Sequence, residues 1–254
     1  MKKIVSFLMR HIPRKVLIIS GYFFKYPVLL FFFGNKVECP ICNGKFRKFL
    51  PYGIISRSNA LCPKCLSLER HRLMWFFLER KTKFFSDELS VLHIAPEQCF
   101  RKIFRKQKNL EYVTADLESP IADVKLDIQD IPYEDCSFNV IICNHVLEHV
   151  EDDKKAMSEL FRTLKKDGFA LLQVPIDFNR EITYEDSSIT DPVEREIHFL
   201  QKDHFRLYGL DYPEKLEKSG FFVEQIDMIN ELPTELVKKS CLPENEKIYF
   251  AQKR

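Results

Sequence analysis

Between residues 137 and 175 the chain passes from an apolar run to a helical repeat and back to an apolar run. Residues 138–143 are almost wholly apolar and rich in β-branched side chains, which is typical of a strand buried on both faces. Apolar side chains then recur at four-residue spacing over residues 156–164, as on the buried face of a helix. Residues 169–174 form the second apolar run. Strand, crossover helix and strand predict a parallel, open α/β sheet.

The two ends of the predicted helix carry signals of their own. Asp152 and Asp153 offer a side-chain N-cap before the first apolar position. Gly168 follows Lys165 and Lys166, the order expected where a helix ends. We therefore expect Gly168 to close the helix and the second strand to begin after it.

The same pattern extends to both sides of this unit. It predicts further strands at residues 91–95, 112–115, 124–126, 221–228 and 247–252, and helices at residues 66–81, 99–106 and 213–219. The whole is a seven-stranded sheet with helices between the strands. Because ligands of such sheets bind beyond the carboxyl ends of the strands, Asn144 and His145 are expected to face a binding cleft.

Composition narrows the choice of function. The chain has 254 residues, a net charge of +2 and a pI near 8.0, so no strong overall field draws it to nucleic acid. It has 7 glycines, with none between Gly53 and Gly168. That gap excludes a Walker A loop and an ordinary GxGxxG turn in the predicted sheet.

Residues 1–34 are a hydrophobic segment that precedes the predicted domains. Residues 16–33 are mostly apolar, but Lys25 and Pro27 interrupt them and basic residues flank both sides. A lysine at the centre of a span costs about 2.5–3.5 kcal/mol of insertion free energy. We therefore expect peripheral membrane contact or packing against the protein for residues 16–33, in a cytoplasmic protein without a cleaved signal peptide.

Four cysteines form two CxxC pairs, Cys39 with Cys42 and Cys62 with Cys65. Two such turns complete a tetrahedral site of four thiolates, and the spacing lies in the range of zinc ribbons. Two disulfides or a redox-active CxxC are the alternatives. We predict a structural Zn²⁺ in a zinc-ribbon-like module with its linking helix at residues 35–82, since four thiolates leave no open position for chemistry.

Acidic residues follow the second and third predicted strands. Asp116 closes the second strand, where a carboxylate can accept both hydroxyls of a ribose. Asp127 and Ile128 follow the third strand, where they can hydrogen-bond and sandwich an adenine. This half of the predicted sheet therefore has the residues of a nucleoside site.

With these motifs the sequence resembles the class I S-adenosylmethionine-dependent methyltransferases, type 11-like. The matching stretches are YVTADL, KLDIQDIPYEDCSFNVIICNHVLEHV and LKKDGFALLQVP. More narrowly, LHIAPE, DHFRLYG and the paired CxxC motifs are similar to bacterial methyltransferases associated with polysaccharide biosynthesis. The resemblance implies a Rossmann-like domain at residues 88–254 with an antiparallel last strand, and S-adenosylmethionine as the cofactor.

The first cofactor motif departs from the family pattern. The glycine-rich turn is replaced by a stretch containing His93, Ala95, Pro96 and Glu97. Ala95 keeps part of the backbone access that glycine gives, and Glu97 is expected to contact the ammonium group of the cofactor. Pro96 removes an N–H group, so a non-catalytic relative that kept the fold stays an alternative. We assign His93, Ala95, Glu97 and Asn144 to the cofactor site, together with the nucleoside residues.

Residues 176–212 form a polar insert after the fifth strand, where acceptor recognition is expected. His204 is the leading general base, with Asp203 beside it as an orienting carboxylate, and His145 and His149 are the competing bases. For His149 a capping or packing role is favoured, because a histidine at a helix entry often has that role. For His145 a structural role on the cofactor side is equally open. The acceptor-binding residues are predicted to be Arg206, Tyr208 and His198.

Three functions compete. The first is O-methylation of a sugar, a glycan or a related polar metabolite. The second is RNA methylation by an enzyme with an amino-terminal zinc module, supported by the basic residues around the cysteines: Arg47, Lys48, Arg57, Arg70 and Arg72. The third is a binding protein without turnover. The low net charge and the absence of a basic stripe in the sequence favour the first.

Overall fold

The computed structural model describes residues 29–53 and 56–254, which fall into two compact units. The first unit comprises the described residues up to Trp75 together with Leu232–Glu244, and the second comprises Phe76–Glu231 and Asn245–Arg254. The predicted membrane contact of residues 16–33 lies, up to residue 28, outside the described residues. Within the described ranges, none of the helices combines the length and the apolar character needed to cross a bilayer.

Two antiparallel hairpins form the body of the first unit. Strand β1 (Phe33–Cys39) pairs with β2 (Gly44–Phe46), and β3 (Leu50–Tyr52) pairs with β4 (Arg57–Leu61). Helix α1 (Glu69–Lys81) follows the second hairpin. Each hairpin delivers one CxxC pair, since Cys39 ends β1 and Cys62 directly follows β4.

A buried arginine explains why a segment distant in sequence joins this unit. The guanidinium group of Arg72 is fully buried and donates hydrogen bonds to the carbonyl oxygens of Ala60 (3.0 Å), Ser240 (2.6 Å) and Cys241 (2.9 Å). Charge-assisted bonds of this kind are about twice as strong as neutral ones. They fix the residues after helix α7 (Thr234–Ser240) to the hairpins.

The second unit is built on one seven-stranded sheet, as predicted. Its strands are β5 (Leu89–Ile94), β6 (Leu110–Asp116), β7 (Val124–Lys125), β8 (Phe138–Cys143), β9 (Leu164–Leu171), β12 (Phe222–Ile226) and β13 (Ile248–Gln252). The order across the sheet is β12-β13-β9-β8-β5-β6-β7. Strands β5 to β9 are parallel to one another, whereas β13 is antiparallel to both β9 and β12. The antiparallel last strand implied by the family resemblance is therefore confirmed.

Helices cover the sheet, and the polar insert adds a small ribbon. The helices are α2 (Gln98–Phe104), α3 (Asp153–Thr163), α4 (Pro192–Phe199), α5 (Tyr212–Lys218) and α6 (Met228–Glu231). The predicted N-cap is confirmed, since the Asp152 side chain accepts a hydrogen bond from the Lys155 amide at 3.0 Å. In the insert, β10 (Tyr184–Glu185) pairs with β11 (Arg206–Leu207).

The role predicted for Gly168 is wrong. Helix α3 ends at Thr163, and the next residue is already extended and begins β9. Gly168 lies inside β9, where an added Cβ would come within 2.7 Å of the carbonyl oxygen of Asn139 on β8. The glycine is needed because the two strands approach closely, and it does not end the helix.

Candidate functional site

The register of the parallel strands brings the predicted cofactor residues to one edge of the sheet. Ile94 on β5 is paired with Ala115 on β6 and with Cys143 on β8. The residues that follow these three positions are Ala95, Asp116 and Asn144. They therefore lie side by side at the carboxyl edge, where open α/β sheets bind their ligands.

A hydrogen-bonded chain holds Glu97 at this edge. The Asn144 side-chain amide donates to Oε1 of Glu97 at 3.0 Å, and Nε2 of His93 lies 2.6 Å from Oε2. The other ring nitrogen of His93 lies 2.7 Å from the hydroxyl of Tyr112. Because the His93 ring is fully buried with both nitrogens engaged, its part in the site is to position Glu97. The network therefore fixes the Glu97 carboxylate at the carboxyl edge of the sheet.

The turn that replaces the glycine-rich motif still has the backbone conformation that glycine favours. Ala95 has a φ of +47°, and its amide donates to the carbonyl oxygen of Ala115 at 2.8 Å. His145, which follows Asn144 after β8, has a φ of +54°. Residues with a side chain rarely adopt this left-handed conformation, and strain of this kind concentrates at functional sites. The backbone is therefore strained directly after β5 and again after β8.

The nucleoside residues differ in how they are placed. Oδ1 of Asp116 accepts hydrogen bonds from the amides of Glu118 (2.8 Å) and Ser119 (2.7 Å), which orients the carboxylate at the end of β6. Oδ1 of Asp127 likewise accepts from a backbone amide two residues later, at 2.9 Å. Ile128 is buried among the core side chains of the second unit. The two carboxylates are available for hydroxyl or amine groups, while Ile128 packs inward.

Three side chains meet at the end of β8. Glu148 and His149 lie in a short 3-10 turn, Leu147–His149, whereas His204 comes from the polar insert. The rings of His149 and His204 are 4.6 Å apart between centroids. One potential ligand atom from each of the three residues lies within 4.8 Å of the others. Nδ1 of His145 lies 3.4 Å from Oε1 of Glu148.

The environment of His204 favours its neutral form. Nδ1 lies 3.1 Å from the carbonyl oxygen of Phe199, so Nδ1 carries the ring proton and Nε2 carries the lone pair. Burial lowers the pKa of the imidazole, and the neighbouring His149 lowers it further. A buried lone pair at this position can accept a proton or bind a metal ion.

Asp203 does not orient His204, contrary to the sequence-based expectation. Its carboxylate lies 3.2 Å from Nδ1 of His149, with 70% of the side chain exposed. His204 turns inward and is oriented by the Phe199 carbonyl instead. Asp203 therefore pairs with His149, while Phe199 orients His204.

Arg206 and Tyr208, which were predicted to bind the acceptor, are buried and engaged in contacts within the protein. The buried guanidinium of Arg206 donates to the carbonyl oxygens of Leu147 (2.8 Å) and Glu151 (2.7 Å), and the Tyr208 hydroxyl donates to Asp153 at 2.9 Å. The Arg206 bonds hold the backbone of the turn that carries Glu148 and His149 and of the residues that follow it, whereas the Tyr208 bond holds the side chain of Asp153.

His198, the third predicted acceptor residue, is partly exposed on α4. Its Nδ1 lies 2.8 Å from the Tyr184 hydroxyl. The structure therefore leaves it at the surface of the insert, where its acceptor role stays a prediction.

The Arg206→Lys change is expected to lower the free energy of unfolding by about 1–3 kcal/mol, because one ammonium group cannot satisfy the carbonyl oxygens that the guanidinium binds. Urea denaturation measures this. Arg180→Lys is the matched control: that side chain is partly exposed and pairs with Asp177, so its loss is expected below about 1 kcal/mol. Equal stability losses in the two variants would show that the Arg206 contacts do not hold the turn.

Sequence reasoning missed Glu148 and treated His149 as a capping or packing residue. Glu148 is 2% exposed, and a carboxylate this deeply buried is rare unless it is paired or binds a metal. The signal available in the sequence was the Glu-His pair directly after a buried strand.

The four predicted zinc ligands lie together in the first unit. Their sulfur atoms are within 4.8 Å of one another, with Cys39 and Cys65 3.6 Å apart and Cys42 and Cys62 3.7 Å apart. None of the four is in a disulfide. In a tetrahedron with Zn–S bonds of about 2.3 Å the sulfur atoms are about 3.8 Å apart, so these separations fit a zinc site with four cysteine ligands.

Comparison with known proteins bears on the second unit. Residues 86–172 match the family model described as a methyltransferase domain. The matched segment includes strands β5 to β9 and the residues that follow β5, β6 and β8 at the carboxyl edge of the sheet. No curated protein matches the sequence.

Solved structures are similar to the chain at low sequence identity. The [4+2]-cyclase SpnF is 12% identical, with a TM-score of 0.51, and the match covers 92% of this chain and 95% of SpnF. A 1,6-didemethyltoxoflavin-N1-methyltransferase from Burkholderia thailandensis, solved with 1,6-didemethyltoxoflavin and S-adenosylhomocysteine bound, is 14% identical with a TM-score of 0.47, covering 73% of this chain and 77% of that chain. The YcgJ protein from Bacillus subtilis is 17% identical with a TM-score of 0.43, covering 72% and 96%. At 12% identity the likeness to SpnF establishes the fold alone.

Proposed function

We propose that this methyltransferase domain transfers a methyl group from S-adenosylmethionine to a hydroxyl group of a sugar, glycan or related polar metabolite. The observation that carries the proposal is the carboxyl edge of the sheet. One half presents carboxylates suited to a nucleoside and an ammonium group, and the other half presents a neutral, buried histidine. A cofactor site and a proton-accepting site are thus adjacent along one edge.

The residues on the cofactor side fit S-adenosylmethionine. Asp116 would hold the ribose hydroxyls and Asp127 the adenine side, while Glu97 would hold the ammonium group. The left-handed turn at Ala95 leaves room for close approach of the methionine part, because only a methyl side chain stands there. The cofactor, when bound, supplies an electrophilic methyl group on a sulfonium ion. The protein's task is to orient the acceptor oxygen and to take up its proton.

Asp116→Ala is expected to weaken cofactor binding roughly ten- to a hundred-fold, since losing a pair of charge-assisted hydrogen bonds costs about 1.5–3 kcal/mol. Isothermal titration calorimetry with S-adenosylmethionine measures the effect. Glu118→Ala, which removes an exposed carboxylate from the same turn, is the matched control and is expected to bind normally. The cofactor assignment fails if the native protein does not bind S-adenosylmethionine or if Asp116→Ala binds as well as the native protein.

Two features support a polar metabolite over RNA. The net charge is only +2, and tracking a phosphate backbone needs a cluster of accessible cations. Two of the basic residues near the cysteines are otherwise engaged: Arg72 is buried against carbonyl oxygens, and Arg57 forms an ion pair with Glu69 at 3.0 Å. Comparing the metabolites and glycans of a deletion strain with those of the parent, for loss of a mass equal to one CH₂, identifies the acceptor.

The four-cysteine cluster of the first unit is proposed to hold a structural Zn²⁺. The ligand set is closed, because all four positions of a tetrahedral ion are taken by Cys39, Cys42, Cys62 and Cys65. Ser67 adds a hydroxyl near two of the sulfur atoms, 3.3 Å from Cys39 and 3.2 Å from Cys65. An ion held this way stabilises the hairpins and takes no part in methyl transfer.

A further inference from the structure

We propose that Glu148, His149 and His204 bind a divalent transition-metal ion at the carboxyl edge of β8, beside the proposed acceptor site. The binding of the ion is argued from the side chains of the second unit and does not depend on the proposed methyl transfer. What the ion does in catalysis rests on the proposed methyl transfer.

The three side chains converge without being neighbours in sequence. Glu148 and His149 come from the turn after β8, and His204 comes from the insert. A main-chain hydrogen bond from the amide of Phe205 to the carbonyl oxygen of Glu148, at 2.9 Å, holds the two segments together. The ligand atoms lie within 4.8 Å of one another, close enough for small movements to place all three around one ion with bonds of about 2.0–2.2 Å.

Two of the polar atoms have nothing else to bind. Glu148 is 2% exposed and His204 is 4% exposed, and within residues 29–53 and 56–254 neither Oε2 of Glu148 nor Nε2 of His204 has a hydrogen-bond partner. Leaving a buried carboxylate oxygen or ring nitrogen unsatisfied costs about 1–3 kcal/mol or more. A metal ion between them would satisfy both atoms at once.

The surrounding contacts are those that orient metal ligands. Histidines that bind metals usually hold their other ring nitrogen on a carboxylate or a carbonyl oxygen. Nδ1 of His204 is held by the Phe199 carbonyl at 3.1 Å, and Nδ1 of His149 is held by Asp203 at 3.2 Å. The buried Arg206 holds the backbone of this segment through its hydrogen bonds to carbonyl oxygens before and after the two ligands. The ligands are thus preorganised by a backbone carbonyl and by two side chains, of which the sequence analysis had assigned Asp203 to orient the base and Arg206 to bind the acceptor.

The ligand set selects the class of ion. Two imidazole nitrogens and one carboxylate suit Zn²⁺, Fe²⁺, Mn²⁺ or Co²⁺, whereas Mg²⁺ and Ca²⁺ prefer oxygen ligands. Three protein ligands leave a coordination position open, in contrast to the closed four-cysteine cluster. A hydroxyl group of the acceptor at that position would have its pKa lowered by the ion, which eases loss of its proton.

The test uses the full-length protein and Co²⁺ as the probe. Native protein, Glu148→Gln and His204→Ala are dialysed against Co²⁺, and bound metal is counted by elemental analysis. Glu151→Gln is the matched control, because it makes the same change at an exposed glutamate in the same segment. We expect both cluster variants to bind one equivalent less metal than the native protein, with affinity at least about 100-fold lower. The control should bind as the native protein does, and Mg²⁺ should compete poorly.

Thermal unfolding shows whether a variant is simply misfolded. Glu148→Gln is isosteric and should melt like the native protein without Co²⁺, while only the native protein and the control should gain melting temperature when Co²⁺ is added. Equal cobalt content in all four proteins overturns the metal site. Calorimetry with S-adenosylmethionine on the same samples separates the two proposals. If the native protein binds S-adenosylmethionine but holds no more Co²⁺ than the cluster variants do, only the proposed metal site is overturned. If it binds the additional equivalent of Co²⁺ but no S-adenosylmethionine, only the proposed methyltransferase function is overturned.

Discussion

Cys62→Ser is expected to remove one equivalent of tightly bound zinc and to destabilise the first unit. Structural Zn²⁺ sites of this type have apparent binding free energies of about 10–16 kcal/mol at neutral pH, and that free energy is coupled to folding. The hairpins that carry the cysteines are built from short strands of 3–7 residues. Because an isolated two-stranded hairpin is only marginally stable in water, loss of the ion is expected to destabilise them. Elemental analysis and thermal unfolding of the purified variant measure the two effects.

The same variant should keep its affinity for S-adenosylmethionine within a few-fold, because the proposed cofactor residues all lie in the second unit. Cys136→Ser is the matched control, since this cysteine is exposed and lies outside the cluster. Native protein purified without zinc, or with disulfides among the four cysteines, would show that the cluster is not a zinc site.

The sheet could be predicted because its strands are short apolar runs separated by amphipathic helices. Burial on both faces leaves that pattern in the sequence itself, so all seven strands were expected, whereas the antiparallel last strand was implied by the family resemblance. Gly168 was misinterpreted because glycine after two lysines has the same local appearance whether it ends a helix or permits close approach of two strands. Only the position of Asn139 on the next strand distinguishes these.

The first unit shows a different limit. That Leu232–Glu244 joins it depends on Arg72 reaching carbonyl oxygens of Ser240 and Cys241, which are 168 and 169 residues away. No local pattern of hydrophobic or polar positions encodes that contact. A single buried cation can therefore change which unit a segment belongs to.

The cofactor half of the site was more predictable than the acceptor half. Residues at strand ends are placed by the register of the sheet, so Glu97, Asp116 and Asn144 are at the expected edge. Arg206 and Tyr208 lie in an insert, where a charged residue can bind a ligand or hold the backbone with equal plausibility in the sequence. Burial decides between these roles, and it arises from packing that local patterns do not report.

His204→Ala is expected to lower kcat by roughly 10²–10⁴-fold once an acceptor is identified, with S-adenosylmethionine affinity preserved. The physical reason is that Nε2 of His204 is a buried ring nitrogen without a hydrogen-bond partner among the described residues, so its lone pair is free to accept a proton. If Nε2 accepts the proton directly, the variant loses its base. If Nε2 holds the proposed metal ion, the variant loses the group that makes the hydroxyl acidic. Lys202→Ala, an exposed change in the same loop, is the control and should turn over normally.

The dependence on salt decides whether this histidine acts on a neutral acceptor. A sugar is bound by neutral hydrogen bonds and ring stacking, so its affinity should hardly change with ionic strength. An enzyme that tracks single-stranded RNA loses affinity with a slope near −0.7 per contacted phosphate in a plot of log affinity against log salt. A steep slope, methylation of transcribed rRNA in vitro and an active His204→Ala variant would together replace the sugar or glycan acceptor with RNA. A flat slope and an inactive variant would place acceptor activation at His204, because only a neutral acceptor that depends on the buried imidazole produces both results.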